Sequence, residues 1–171
     1  MPKVIEDLAL RLSEEARRQV RESGYAALTI RSVAKGCGVG VGTVYNYFPS
    51  KESLAASYML RDWESCYAAL LDRCSAADDP RTAVYAVYDQ LCRFRQEHRE
   101  LFMDEAAKGS YSSFAGLYHG MLRQGLARPL RRFCADDFTA GFLAEALLTW
   151  AVEGQDFAQL YAVLAKIILQ N

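Results

Sequence analysis

The sequence predicts an all-α protein: an N-terminal three-helix module containing a helix-turn-helix, continued by a longer helical body. Three observations carry this. Apolar residues fall into helical stripes in segment after segment. Residues that favour helix starts (Thr29, Ser50, Asp79, Asp136, Asp156) and helix stops (Gly24, Pro49, Gly154) stand at the joints between those stripes. Between Thr29 and Phe48, two short stripes flank the glycine-bearing stretch from Gly36 to Gly40. The boundary between module and body is expected at residues 50/51, giving domains 1–50 and 51–171.

The first helix is expected over about Pro2 to Ser23, with Ile5, Leu8, Leu12, Ala16 and Val20 as its apolar stripe. Arg11, Arg17, Arg18 and Arg21 lie off the stripe, at helical spacing from Glu14, Glu15 and Glu22. Tyr25 and Leu28 are read as plugs of a small core. Thr29 N-caps a second helix whose inner side is Ile30, Val33 and Ala34, and Gly36 and Gly38 break it. A third helix runs from Val41 to Phe48. Val41, Val44 and Phe48 fall at i, i+3 and i+7 and are read as its inner stripe. Pro49 ends it, and Ser50 caps a fourth helix reaching about Ser75.

Asp79 as N-cap and Pro80 at the first helical position open a fifth helix to Glu97. A shorter helix is expected over Glu100–Lys108 and another over Ser110–Gly125. Residues 126–135, with Pro129 and three arginines, are read as a loop. Asp136 caps a helix ending at Glu153, and Asp156 with Gln159 resembles a capping box for a last helix to about Leu169. These two final helices are apolar on nearly every side. A helix that is apolar all round has to be covered all round, which predicts a two-fold four-helix interface between two copies of the chain. Phe138, Phe142, Leu148, Leu160, Leu164 and Ile168 are its candidate residues.

The outward side of the third helix is expected to carry Gly42, Thr43, Asn46 and Tyr47, with Tyr45 at the flank. Small hydroxyl and amide side chains suit close approach to base edges and phosphates in a major groove. The ordered run Gly24-Tyr25, Thr29-Ile30-Arg31, Val33-Ala34, Gly38-Val39, Gly42-Thr43-Val44-Tyr45, Tyr47-Phe48 and Ser50-Lys51-Glu52-Ser53-Leu54 resembles the DNA-binding domain of the TetR family of bacterial transcriptional regulators. It covers roughly the first third of the chain. The resemblance implies a homodimeric repressor whose helical C-terminal domain binds a small-molecule effector. It also implies that two copies of the third helix enter successive major grooves of a pseudo-palindromic site, roughly 34–36 Å apart. Thr29, Arg31, Gly42, Thr43, Tyr45, Asn46, Tyr47 and Lys51 are then the DNA-binding candidates. Thr43 and Asn46 would reach bases, and Tyr45, Tyr47 and Lys51 would hold phosphates. The sequence departs from the family at Gly40, which commonly is Ser, and at Gly36 and Cys37, which commonly are Ala. Gly40 offers no side-chain oxygen to a phosphate. A helical ligand-binding or protein-interaction module with lost or weak DNA binding is the alternative reading.

Charge agrees with local contact rather than a general affinity for nucleic acid. Net charge is −1, yet residues 1–55 hold eight Lys/Arg against six Asp/Glu, and residues 56–171 hold twelve against fifteen. No stretch approaches the ~18 uninterrupted apolar residues of a membrane span, and the N-terminus lacks an apolar signal core, so a cytoplasmic protein is expected. Five cysteines without close pairing fit a reduced chain.

No enzyme constellation is legible. His98 and His119 stand in no metal-ligand spacing, Gly38-x-Gly40-x-Gly42 follows a helix and not a strand, and no serine or cysteine has a positioned base. No metal or cofactor is expected. The body is rich in aromatic residues, and Trp63, Tyr67, Tyr88, Phe114, Tyr118 and Trp150 are the candidate lining of an effector pocket, with Asp62, Arg93 or Glu145 as candidate charges in it.

Overall fold

The computed structural model describes residues 7–102 and 108–168, with the side chains of residues 102–117 excepted. Every regular element among the described residues is helical: α1 (Leu8–Ser23), α2 (Ile30–Cys37), α3 (Val41–Tyr47), α4 (Lys51–Ser75), α5 (Pro80–Glu97), α6 (Arg99–Phe102), α7 (Lys108–Leu130), α8 (Asp137–Glu153) and α9 (Phe157–Ile168). Short 3-10 turns at Tyr25–Ala27 and Arg131–Phe133 join α1 to α2 and α7 to α8. The expected helix start at Pro2, the contribution of Ile5, and the end at Leu169 lie outside the described residues.

The chain groups into two units, residues 1–62 with 98–117, and residues 63–97 with 118–171. The division falls at Asp62, inside α4. Leu54, Ala55, Ala56, Tyr58 and Met59 explain why: the first turns of α4 bury this row, so they belong with the N-terminal helices.

In the first unit, Leu8, Leu12, Ala16 and Val20 of α1 are buried together with Tyr25, Leu28, Ile30, Val33, Ala34 and Val44. Gly36 does not break α2. It lies within the helix, where a Cβ would stand 2.1 Å from Glu15 Oε1, so its lack of a side chain makes room for that carboxylate. Gly38, at φ 68°, makes the break, and its amide and that of Val39 return to carbonyls of the last turn of α2. Three of the four arginines of α1 are occupied within the protein. Arg18 grips Glu15 and Glu22, Arg17 pairs with Asp62 at 3.0 Å, and Arg11 donates to the Cys37 carbonyl at 3.2 Å.

In the second unit, α8 packs against α5 and α9. Ala83, Ala86, Ala140, Ala144 and Ala151 are buried there, and small side chains let helix axes approach closely. Asp79 and Asp136 cap α5 and α8 as expected, accepting from Thr82 N at 3.0 Å and Thr139 N at 2.7 Å. Asp156 likewise accepts from Gln159 N at 3.1 Å, but the Gln159 side chain turns to Gln155, so the reciprocal half of a capping box is not made.

Residues 126–130 are helix, not loop. Pro129 sits in the last turn of α7 and cannot donate to the carbonyl four residues back, that of Gly125. The Tyr67 hydroxyl donates to it instead, at 2.8 Å. Beyond α7, Arg132 donates to the Cys74 carbonyl at 2.8 Å, to that of Ser75 at 3.3 Å, and to that of Ala77, satisfying the open end of α4.

Candidate nucleic-acid interface

Two reciprocal serine caps frame the helix-turn-helix. Thr29 Oγ1 accepts from Ser32 N at 3.0 Å, while Ser32 Oγ accepts from Thr29 N at 3.2 Å. Ser50 and Ser53 repeat the arrangement at the start of α4, both bonds at 3.1 Å. Each uses Ser where a longer Glu or Gln is usual, and each fixes where its helix begins. Between them α3 hangs on one fully buried side chain, Val44, with Phe48 half-buried. The Gly40 carbonyl accepts from Thr43 N and Val44 N at 3.0 and 3.3 Å, starting the helix without a side-chain cap.

This leaves a surface of low bulk. Arg31, Gly42, Tyr45, Asn46 and Tyr47 are exposed and Thr43 is half-buried. A Cβ on Gly42 would meet nothing within 4 Å. Arg31 and the nearby Lys35 are exposed and make no ion pair among the described residues. Two predicted residues are committed elsewhere. The Thr29 hydroxyl serves its cap, and the Lys51 ammonium donates to the Tyr25 carbonyl at 3.1 Å while lying 4.0 Å from the Tyr25 ring centre. Val41 departs from the expected inner stripe and lies on the outward side.

Among the described residues, the aromatic candidates of the body make their ring contacts in separate groups. Trp63 is buried edge-on against Phe94 at 5.5 Å, with Tyr67 beside it at 6.3 Å. Tyr88 belongs to a second group with Tyr85 and Phe157, and donates to the Gln155 carbonyl at 2.8 Å. Its phenol is pushed up to about 12 by burial and by its bond with Cys92. Trp150 is 48% exposed, on a hollow of about 390 Å³ between α8 and α9 that Phe142, Ala146 and Val163 also line. Tyr118 is half-buried, and the Phe114 side chain lies outside the described residues. The candidate charges are paired: Arg93 with Asp89 at 3.0 Å, Glu145 with His119 at 2.8 Å, Asp62 with Arg17.

One buried polar group escaped the sequence reading. His98 is buried 3.3 Å from Asp62 and stacks on Tyr58, whose phenol burial drives upward. Tyr58 and Asp62 stand one turn apart on α4, and His98 lies between α5 and α6, so no local spacing joins the three.

The interface candidates on α8 and α9 divide by side. Leu160, Leu164 and Ile168 are buried in the unit's own core. Phe138 is 81% exposed, Phe142 is also exposed, and Leu148 is half-buried. With Trp150 and Val163 these phenylalanines make an uncovered apolar face.

A model of the bacterial regulatory proteins of the tetR family matches residues 12–58, the stretch holding α2, α3 and both serine caps. The chain is 36% identical over 67 residues to the HTH-type transcriptional repressor KstR of Rhodococcus jostii, an alignment covering 34% of this chain and 32% of that protein. The alignments span about a third of the length of the first curated relatives that the chain matches. The fold agrees over a longer stretch. The Thermus thermophilus TetR-family transcriptional repressor FadR, in complex with lauroyl-CoA, superposes with a TM-score of 0.65 at 17% identity, over 95% of this chain and 93% of that one. RolR, in complex with resorcinol, does so with a TM-score of 0.66 at 22% identity, over 94% and 87%. Residues 12–58 thus match the helix-turn-helix domain of the tetR family of bacterial regulatory proteins, and the fold of nearly the whole chain is similar to that of FadR and RolR.

Proposed function

We propose that the protein is a ligand-responsive, DNA-binding transcriptional regulator, acting as a repressor that binds a pseudo-palindromic operator as a homodimer and is released by a small molecule. The observation that carries this reading is the outward side of α3, where Gly42, Tyr45 and Asn46 are exposed, together with an exposed Arg31 on α2 that makes no ion pair among the described residues. A solvated helix face ordinarily carries Glu and Lys. This one carries small and hydrogen-bonding groups fit for base edges, with Arg31 and Lys35 nearby to attract phosphate.

The uncovered face of Phe138, Phe142, Trp150 and Val163 supports the dimer, since apolar side chains of this size gain most when a second copy covers them. Two copies would present their α3 helices to successive major grooves roughly one helical turn apart. The ligand-bound neighbours in fold, one holding lauroyl-CoA and one resorcinol, support an effector site in the helical body. An effector releases DNA by binding more tightly to a subunit geometry that misplaces the two α3 helices. Among the described residues no helix is long and apolar enough to cross a membrane, and a cytoplasmic setting is part of the proposal.

A band-shift with DNA from beside the chain's own gene, run against excess non-specific competitor, tests the reading. A retained complex abolished by Arg31→Ala or Asn46→Ala supports it. Binding that competitor removes entirely would favour a helical ligand-binding or interaction module instead.

A further inference from the structure

Seven-residue spacing groups Val41 with Val44 and Phe48, yet Val41 is 37% exposed. Its neighbours in sequence are Gly40 and Gly42. A Cβ at Gly42 would meet nothing within 4 Å, and one at Gly40 would meet only Thr43 Oγ1, at 3.7 Å. Four residues on, Tyr45 is also exposed, so Val41 and Tyr45 share an outward side one turn apart. A single aliphatic side chain on a surface is ordinary. Here it stands among groups that form the candidate DNA-reading surface, and the two glycines remove the bulk that would hold a base edge away from it.

We propose that Val41 is a specificity-determining residue that reads the C5-methyl group of a thymine in each half-site. The chemistry selects this partner. Val41 has neither donor nor acceptor, and the thymine methyl is the one apolar group that a base pair displays in the major groove. Against any other base edge, Val41 would cover polar atoms without satisfying them. The inference rests on the DNA-reading function proposed above and names what one position of that surface recognises.

The test uses the full-length protein and the duplex it enriches from a random-sequence library. Each thymine is replaced in turn by deoxyuridine, which removes only the methyl. One thymine per half-site is expected to weaken wild-type binding about fourfold, corresponding to the ~0.8 kcal/mol of one buried carbon group. In Val41→Ala that penalty is expected to disappear while the unmodified duplex binds more weakly. A duplex in which no thymine responds, or a penalty that persists unchanged in Val41→Ala, overturns the assignment and leaves the DNA-reading function standing. A library from which no sequence is enriched overturns that function itself.

Discussion

The phenol of Tyr67 donates 2.8 Å to the carbonyl of Gly125, the group that Pro129 leaves without its helical amide. A side chain of α4 thus completes the hydrogen bonding of α7. Tyr67→Phe should destabilise the protein by about 1 kcal/mol, the net worth of a part-buried hydrogen bond. Pro129→Ala restores an amide, so the double variant should lose less than Tyr67→Phe alone. Thermal melts of the four proteins in a double-mutant cycle check this, and additive losses would contradict the replacement.

Lys51 holds two positions at once. Its ammonium sits on the Tyr25 carbonyl and ring, and two of its three N–H groups remain for a phosphate. Lys51→Ala should lower the melting temperature and weaken binding on every duplex alike. The slope of log K against log salt should fall by about 0.9, one phosphate contact. An unchanged slope with a lower melting temperature would assign Lys51 to the Tyr25 contact alone.

Asn46 is exposed on α3 among the described polar groups of that side. Asn46→Ala should change the ranking of operator variants, with a loss of about 1–3 kcal/mol concentrated at one base pair per half-site. A uniform loss on all sequences, measured by quantitative band-shift, would make Asn46 a positioning contact.

Acid should loosen the N-terminal unit through Glu15. The hydrogen bond from Arg18 holds its carboxyl below the ordinary value of 4.5, against a burial that works the other way. A folded pKa below the unfolded one means the contribution is complete above the unfolded value and lost as pH falls through the folded one. Wild-type stability should therefore fall more steeply than that of Glu15→Gln below about pH 4.5. Urea midpoints measured across that range test the sign, and parallel curves for the two proteins would contradict it.

The parts legible in the sequence were those with local causes. Thr29, Ser50, Asp79 and Asp136 cap the helices they were expected to cap, because capping is decided within three residues. Tyr25 and Leu28 are buried where the module needed plugs. The misreadings share a non-local cause. Pro129 gave a loop signal, but its helix is completed by Tyr67 at the carbonyl of Gly125, a residue 58 positions from Tyr67 along the chain and outside any sequence window. Val41 fitted an inner stripe because a seven-residue helix is too short for periodicity to choose a side. On α9, two-sided apolarity was plain, but only packing shows that Leu160, Leu164 and Ile168 face the unit's own core while Val163 faces out. The body's aromatic residues were visible as a set, but their division among separate clusters was not.

The most direct test is a hydroxyl-radical footprint of the full-length protein on its enriched duplex. Two protected patches on one face of the DNA, with centres about 34–36 Å apart and both lost with Asn46→Ala, are the predicted result. A single patch, or protection that survives substitution across the outward side of α3, would contradict a paired α3 reading head.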